Sequence, residues 1–548
     1  PPALSSADKG PQPDQTTNLD ERQATDILLP GDLEISVWAE GPMLSRPLSM
    51  DTDHAGRVWI AERHSTAQTP RGSRIRILED KDRDGEADES HIFLEDGTHE
   101  GPLEISVFGN RLVAFNPPHL TVYTDINKNL IFEPEIDKRE NILTGFKRPE
   151  NAQGLQEIIG GPDGRWYFGH DHSGAELKDR SGVNFIVTGP PENEVPEKAE
   201  NPRDLTGRTS GDGKVWVGGF TAGVNTDGSG MRIMGHGLHR SLGQTVTSFG
   251  DMFHSDRSDT GSCRITWLME GGFLGFLSPD GTRTWQVDQR PGQPDSEAEW
   301  RQWDPGTLPP GDTYEKGAPS GMCFYENGAL PDRYAGLLTS CDPQRGEVLA
   351  YFPAPEKSNF KLERFTLLKS RSPDSFHPVD ILVGADGALY LAATDALEEP
   401  TSSQENPSGG GKIFRIAPKN FRPEIKTLPA DSVKGALALL SSPAQNVRLS
   451  GFEILREAGE KALPAVRDML GHYNGYLQAR AVWLLPHLGA EGRRLAQSLL
   501  ESTDASTRLL AFRALRSAGE DLLGAGGQLI PGGLISKFYA DEASPAVR

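Results

Sequence analysis

The chain has 548 residues, 36% hydrophobic and 24% charged, with 61 Gly and 41 Pro. It is too long for one core and too rich in turn formers to be helical throughout. Its formal net charge of −22 excludes a nucleic-acid binder, which needs a basic surface, and disfavours docking on anionic lipid.

In chain order, residues 1–29 are polar and rich in Pro, Gln, Thr and Asp, the composition of a disordered lead-in. No basic and apolar regions of a signal peptide are visible, and the first residue is not Met, which suggests that an upstream segment has been removed. No stretch approaches the roughly 20 apolar residues of a membrane span.

Residues 30–420 carry a recurring unit. An apolar alternating run is followed by a tight Asp/Gly turn, then by a second run with Trp or Tyr, then by an acidic or polar residue. The clearest copies are Pro47-Leu48-Ser49-Met50-Asp51 to Glu62, Gly161-Pro162-Asp163-Gly164 to Phe168, and Val379-Asp380-Ile381 to Tyr390. Weaker copies surround Gly109, Gly250 and Gly336. Asp-Gly between alternating hydrophobics marks a hairpin, because its turn needs positive φ. The turn glycines Gly56, Gly109, Gly164, Gly250, Gly336 and Gly387 are spaced by 53, 55, 86, 86 and 51 residues. Such spacing predicts a mainly β domain, a six-bladed β-propeller with insertions at the two wider gaps.

From residue 421 to 548 the texture changes to Ala-, Leu- and Arg-rich segments of helical period. Similar phrases recur at Val447–Arg456, Ala479–Leu485 and Thr507–Leu515. They predict an all-α, HEAT-like solenoid, in which each hairpin buries its stripe against its neighbours. Trp483 and Phe512 fall on its core stripe, and its concave surface would suit a protein partner. Ser544 to Arg548 reads as the opening of a further repeat, so the chain is expected to be a fragment.

The three cysteines, Cys263, Cys323 and Cys341, have no zinc or haem spacing. Buried free thiols are expected, with a Cys323–Cys341 bridge as the alternative. The most specific motif is Asp80-Lys81-Asp82-Arg83-Asp84-Gly85-Glu86-Ala87-Asp88. Alternating carboxylates around a Gly wrap oxygen ligands about a hard cation, so Asp80, Asp82, Asp84 and Asp88 are candidate calcium ligands. Asp125, Asn127, Asn129 and Glu133 repeat the pattern without the Gly and with two amides in place of acids. Either loop could instead be a solvated turn.

Propellers bind ligands where loops from all blades converge on one mouth of the channel. This nominates Glu62 and Arg63 from the first blade, His170 and His172 from the third, Asp256 from the fourth, and Asn151, Gln153, His239, Arg240 and His377 ahead of first strands. The ligand would be a small molecule or a glycan. His170 and His172 lie at alternate strand positions, where two side chains share a face and could chelate a metal.

The order Val58-Trp59-Ile60-Ala61-Glu62-Arg63, Asp80 to Asp88, Asn151-Ala152-Gln153-Gly154-Leu155, Ala318-Pro319-Ser320-Gly321, Pro378-Val379-Asp380 and Asp386-Gly387 resembles a group of planctomycete and verrucomicrobial proteins. These are the membrane-bound dehydrogenase-like, or PVC-type haem-binding, proteins. The resemblance covers most of residues 30–548. It implies a propeller similar to soluble quinoprotein glucose and sorbosone dehydrogenases, then HEAT repeats, and a cytochrome c domain beyond Arg548. It also implies export to the periplasm or outside the cell, which the calcium loops would suit, pyrroloquinoline quinone as cofactor, a histidine base, and arginines on the quinone carboxylates. Arg240 matches the arginine of the family's Arg-Asn-Pro element, with Ser241 in place of the asparagine. No histidine stands among Asn151 to Leu155, where the family base would be, and His377 replaces an arginine. His170, His172 and His239 are the remaining candidates for a base. Three readings result: an exported dehydrogenase of sugars or other alcohols that passes electrons to a haem domain, a non-catalytic binder of glycans or proteins, or a hydrolase or lactonase using a calcium ion in the channel.

Overall fold

A computed structural model describes residues 19, 26–63, 73–95, 104–116, 118–147, 155–190, 208–258, 262–395, 410–425 and 432–519. The protein is mainly β, with helices gathered after residue 432. Six sheets of four or five strands follow one another along the chain. Their innermost strands are β1 (Arg46–Thr52), β2 (Ile105–Phe108), β3 (Leu155–Gly160), β4 (Arg240–Val246), β5 (Met322–Tyr325) and β6 (His377–Val383). Each packs against the next, and β6 packs back against β1. The six sheets therefore surround a central channel. The sixth sheet is completed from the N-terminal side: Leu33–Glu40 pairs with Gly411–Pro418 as its outer strand.

Each sheet opens with a hairpin turned at one of the six spaced glycines, whose φ values run from 67° at Gly109 to 87° at Gly56. Only glycine takes that conformation without steric cost. The acidic turn residues then hold the aromatic of the second strand. Asp53 accepts from Trp59 Nε1 at 3.0 Å and Asp163 from the Tyr167 hydroxyl at 3.0 Å. The two wide gaps are insertions. One contains the small sheet Ala175–Lys178, Asn184–Thr188 and Trp216–Val217. The other holds two one-turn helices, Trp285–Asp288 and Asp295–Ala298, and lends Gly272–Phe273 to the third sheet.

Apolar clusters fill the seams between sheets; Phe108, Trp166 and Phe168 join the second to the third. The three cysteines are buried and free, as expected.

Inner strands leave unpaired N–H groups at the channel edge, which need acceptors. Side chains of neighbouring inner strands supply several of them. Met50 N donates to Asp380 at 2.8 Å, Val107 N to Asp51 at 2.6 Å, Ile105 N to Ser49 Oγ at 3.1 Å, and Gln244 N to Glu157 at 2.6 Å.

The helices are α1 (Val433–Leu440), α2 (Gln445–Ala458), α3 (Leu463–Met469), α4 (Gly475–Leu484), α5 (Gly489–Leu499) and α6 (Ala505–Ser517). Ser432, Asn474 and Asp504 cap α1, α4 and α6 with their side chains. The helices cover the face where the first hairpins turn. A Cβ on Gly164 would strike Phe452, one on Gly250 would strike Trp483, and one on Gly336 would approach Tyr476. Trp483 is thus a contact to the ring as well as core, its Nε1 donating to Ser248 O at 2.9 Å. At the centre, Asn446 of α2 donates to Asp51 at 2.9 Å and accepts from Gly160 N at 2.7 Å. Beside it, buried Glu326 receives Arg448 and Arg480, each at 2.7 Å. Asn446 therefore closes the channel at that end.

Candidate functional site

The end of the ring opposite α2, here called the mouth, is where the inner strands begin and the second strands finish. The nominated ligand-binding residues that the structure describes lie at this end, whereas the two acidic loops lie at the other.

Glu62 is fully buried. It accepts from Ser45 N at 2.6 Å, from Arg76 Nε at 2.8 Å, and from Arg74 Nε. Asp256, equally buried, accepts from Arg240 N at 2.7 Å, from His239 N, and from Arg264 Nη2 at 3.2 Å. Asp342 takes Ala318 N in the same way. The acid that recurs after the second strand thus satisfies the N–H groups leading into its own sheet. Glu62 and Asp256 are thus engaged by partners of their own sheets, as a buried carboxylate requires. His377 is likewise buried, with Nδ1 2.8 Å from Pro343 O.

His170 and His172 are separated by their packing. His170 is sealed between the rings of Phe146 and Phe220, each centroid 5.4 Å away, and burial lowers its pKa. His172 is half-buried, its ring 4.6 Å from His239, which stacks on Phe276 at 4.1 Å. The two imidazoles therefore belong to different ring stacks. Burial, then the neighbouring His172, hold His239 well below the ordinary histidine pKa. The half-buried Arg240 follows directly. Arg257 lies opposite Arg240 in the fourth sheet, and Arg46 opposite Arg63 in the first. These two sheets face each other across a ring of six. Asn151 and Gln153 lie outside the described residues.

The channel wall holds acids that the sequence reading did not nominate: Asp51, Glu104, Glu157 and Asp380. Burial raises Asp51 to about 7 and Asp380 to about 6, and raises Glu104 and Glu157 well above the usual carboxylate range. The Asp380 charge adds to the shift of the other three. Asp51 and Asp380 were visible as acids inside otherwise apolar strands. What they face was not, because their partners come from other sheets.

On the helical face, the loop at residues 80–88 gathers the carboxylates of Asp80, Asp82 and Asp88 within 4.8 Å of one another. Asp80 Oδ2 accepts from Gly85 N at 3.0 Å, while Oδ1 is buried without a donor. Three convergent acids with an unsatisfied oxygen fit a hard cation. Asp84 is outside the trio and accepts from Glu86 N at 2.9 Å. The loop at 125–137 copies the turn: Arg83 and Gly85 have φ 60° and 101°, and Lys128 and Leu130 have 58° and 65°. Here Asn127 and Asn129 donate to Glu133 at 2.8 and 2.7 Å. Asp137, missed from sequence, accepts from Ile126 N and Glu133 N, each at 2.8 Å. Amide donors stand where the first loop leaves room for a cation, and Asp125 accepts from Leu130 N at 2.9 Å.

The family described as a domain of unknown function, DUF7133, matches residues 20–191. No curated protein matches the chain. Among solved structures, the chain is similar to the holo form of the pyranose dehydrogenase PQQ domain from Coprinopsis cinerea. That similarity has 14% identity and TM-score 0.45, covering 71% of this chain and 97% of that one. It is also similar to the PQQ-bound aldose sugar dehydrogenase of Streptomyces coelicolor, with 11% identity, TM-score 0.44, and coverage of 71% and 99%. The apo soluble aldose sugar dehydrogenase of Escherichia coli has 14% identity, TM-score 0.42, and coverage of 71% and 100%. Among the described residues, no helix is long and apolar enough to cross a membrane.

Proposed function

We propose that the protein is an exported, quinoprotein-like dehydrogenase of sugars or other alcohols, built as a six-bladed propeller capped by a HEAT-like solenoid. The observation that carries this reading is the mouth itself. One end of the channel is stopped by Asn446, and around the other stand His172, His239 and Phe276 beside Arg240. An aromatic surface with imidazoles and a guanidinium suits a polar ring bearing hydroxyls or carboxylates. The resemblance in motif order supports the same assignment.

The residues present fit a planar polyanion in charge. Arg46 and Arg63 on one side, and Arg240 and Arg257 on the other, are the groups that would hold carboxylates. A pyrroloquinoline quinone bound there supplies the acceptor for hydride from an alcohol carbon. The chain's own part is to orient the substrate and take its hydroxyl proton. His172 is the base in this reading, because it is half-buried at the mouth while His170 is sealed. His239 lies under His172 and fixes its ring, accepting at its backbone oxygen 3.1 Å from His172 Nδ1. Calcium belongs to the loop at 80–88, with a structural role, and a haem domain outside this chain would receive the electrons.

The test incubates the purified protein with calcium and the quinone, then follows the absorption spectrum and dye reduction across aldoses and alcohols. Quinone uptake and turnover are expected. In His172→Ala, turnover falls about 100-fold, the scale of a lost general base, with uptake retained. No uptake and no turnover would remove the dehydrogenase reading. The second reading, a non-catalytic binder of glycans or proteins, is favoured by the commitment of Glu62 and Asp256 to their own sheets.

A further inference from the structure

The two insertions that interrupt the ring pack into one body. Val217 of the first shares an apolar cluster with Phe276, Trp285 and Trp300 of the second. Gly281 brings the two segments close, since a Cβ there would lie 3.1 Å from Val217 Cγ1. Both insertions also hold His236, in the strand Arg232–Leu238 of the third sheet. The Trp216 ring lies edge-on to it at 4.9 Å, and the Phe273 ring lies 5.1 Å away. This strand leads through His239 into β4, so the joined body stands beside the mouth.

From that body Phe276 reaches the histidines. Its N–H donates to Gly237 O at 2.9 Å, two residues before His239. Its ring stacks on His239 at 4.1 Å, with 14° between the planes, and meets His172 edge-on at 5.4 Å. The far side of Phe276 is held as well. Gly275 has φ 94°, and a Cβ there would lie 2.2 Å from Trp300 O. Trp300 is fully buried, its ring 6.2 Å from that of Phe276, and its Nε1 donates to Ser262 O at 2.9 Å. The Arg264 guanidinium lies 3.7 Å over the Trp300 ring and donates to Asp256 at 3.2 Å. Asp256 in turn accepts from His239 N at 3.2 Å. The contacts close on themselves: His239, Phe276, Trp300, Arg264, Asp256 and back to His239.

The consequence falls on His172. Its backbone N and its Nδ1 lie 2.9 and 3.1 Å from His239 O. A carbonyl oxygen only accepts, so Nδ1 carries the ring proton and the lone pair sits on Nε2. The tautomer therefore depends on where the His239 peptide stands. We propose that the joined insertions are a positioning device for the mouth, in which Phe276 fixes the His239 peptide and thereby the Nδ1–H tautomer and orientation of His172. Its value for turnover rests on the reading of His172 as the base; the tautomer itself does not.

The test uses the full-length protein labelled with 15N in histidine, the His172 signals being assigned by their loss in His172→Gln. Above neutral pH the 15N shifts report which ring nitrogen carries the proton. Wild-type His172 should show the Nδ1–H form. Phe276→Ala should give a mixture with Nε2–H, while Phe276→Tyr, which keeps a stacked ring, should lie closer to the wild type. Phe276→Leu replaces the Ala variant if that one does not fold, since it fills space without a ring to stack. With quinone and calcium added, Phe276→Ala should lose about 10-fold in kcat, less than removal of the base, with KM changed by no more than about twofold. Wild-type His172 protonated at Nε2 overturns the proposal. So does a tautomer, or a kcat, unchanged in Phe276→Ala or its Leu replacement. If there is neither quinone uptake nor turnover, the dehydrogenase reading falls and the tautomer measurement alone decides this inference.

Discussion

Glu62 and Asp256 show how a carboxylate recognisable in sequence acquires a role that sequence does not reveal. Each closes a local circuit of backbone N–H groups and guanidinium nitrogens, in a place where an unpaired group would be costly. Glu62→Ala is therefore expected to destabilise the protein by about 3 kcal/mol, because it leaves Arg74 and Arg76 without their buried acceptor. Urea unfolding measures this, and Glu62→Gln should recover part of the loss. His254 tests the opposite case. It is fully buried, both ring nitrogens lack partners among the described residues, and burial then the nearby Arg264 push its pKa down from 6.5 to about 3. The unfolded chain takes up a proton below 6.5 that the folded chain refuses. Stability is thus fully present above that value and falls as pH drops, by about 1.4 kcal/mol per pH unit until the folded pKa is reached. His254→Leu should cost little at neutral pH and should flatten the acid side of the stability curve, read from urea midpoints at several pH values.

At the level of elements, the six hairpin turns were legible because positive φ is a backbone demand that glycine alone meets cheaply. The same signal, however, does not say where a hairpin goes. Asp212-Gly213-Lys214-Val215-Trp216 repeats the turn, Asp212 even accepting from Trp216 Nε1 at 3.0 Å, yet it feeds the small inserted sheet. Nor could the pattern show that four of the six ring turns, at Gly109, Gly164, Gly250 and Gly336, lie against the helices. Gly164→Ala and Gly182→Ala separate the two demands. Both glycines have φ above 80°, but a Cβ at Gly164 would lie 2.4 Å from Phe452, whereas Gly182 has nothing within 4 Å. Gly182→Ala should cost about 1 kcal/mol, the backbone term. Gly164→Ala should cost roughly 1–3 kcal/mol more, the scale of overpacking, as Phe452 is displaced. Chemical denaturation of the two variants decides this.

For the whole molecule, the ring was readable from spacing and the helical stack from its period, but their docking was not. It rests on pairs hundreds of residues apart, such as Asp51 with Asn446 and Glu326 with Arg480. Asn446→Ala should lower stability by about 2 kcal/mol, because a buried carboxylate loses its amide donor. It should leave ligand uptake at the mouth unchanged, which calorimetric unfolding and a binding titration check together. This docking also fixes a direction for the molecule. Ser517, at the end of α6, bonds Asp163 on the hairpin-turn face, and Arg516 pairs with Glu270 nearby. The end of α6 therefore lies across the ring from the mouth, beyond inner strands of 4 to 7 residues, a wall roughly 13–23 Å thick. A partner held at the end of α6 would meet hairpin turns and helices, with that wall between it and any ligand at the mouth.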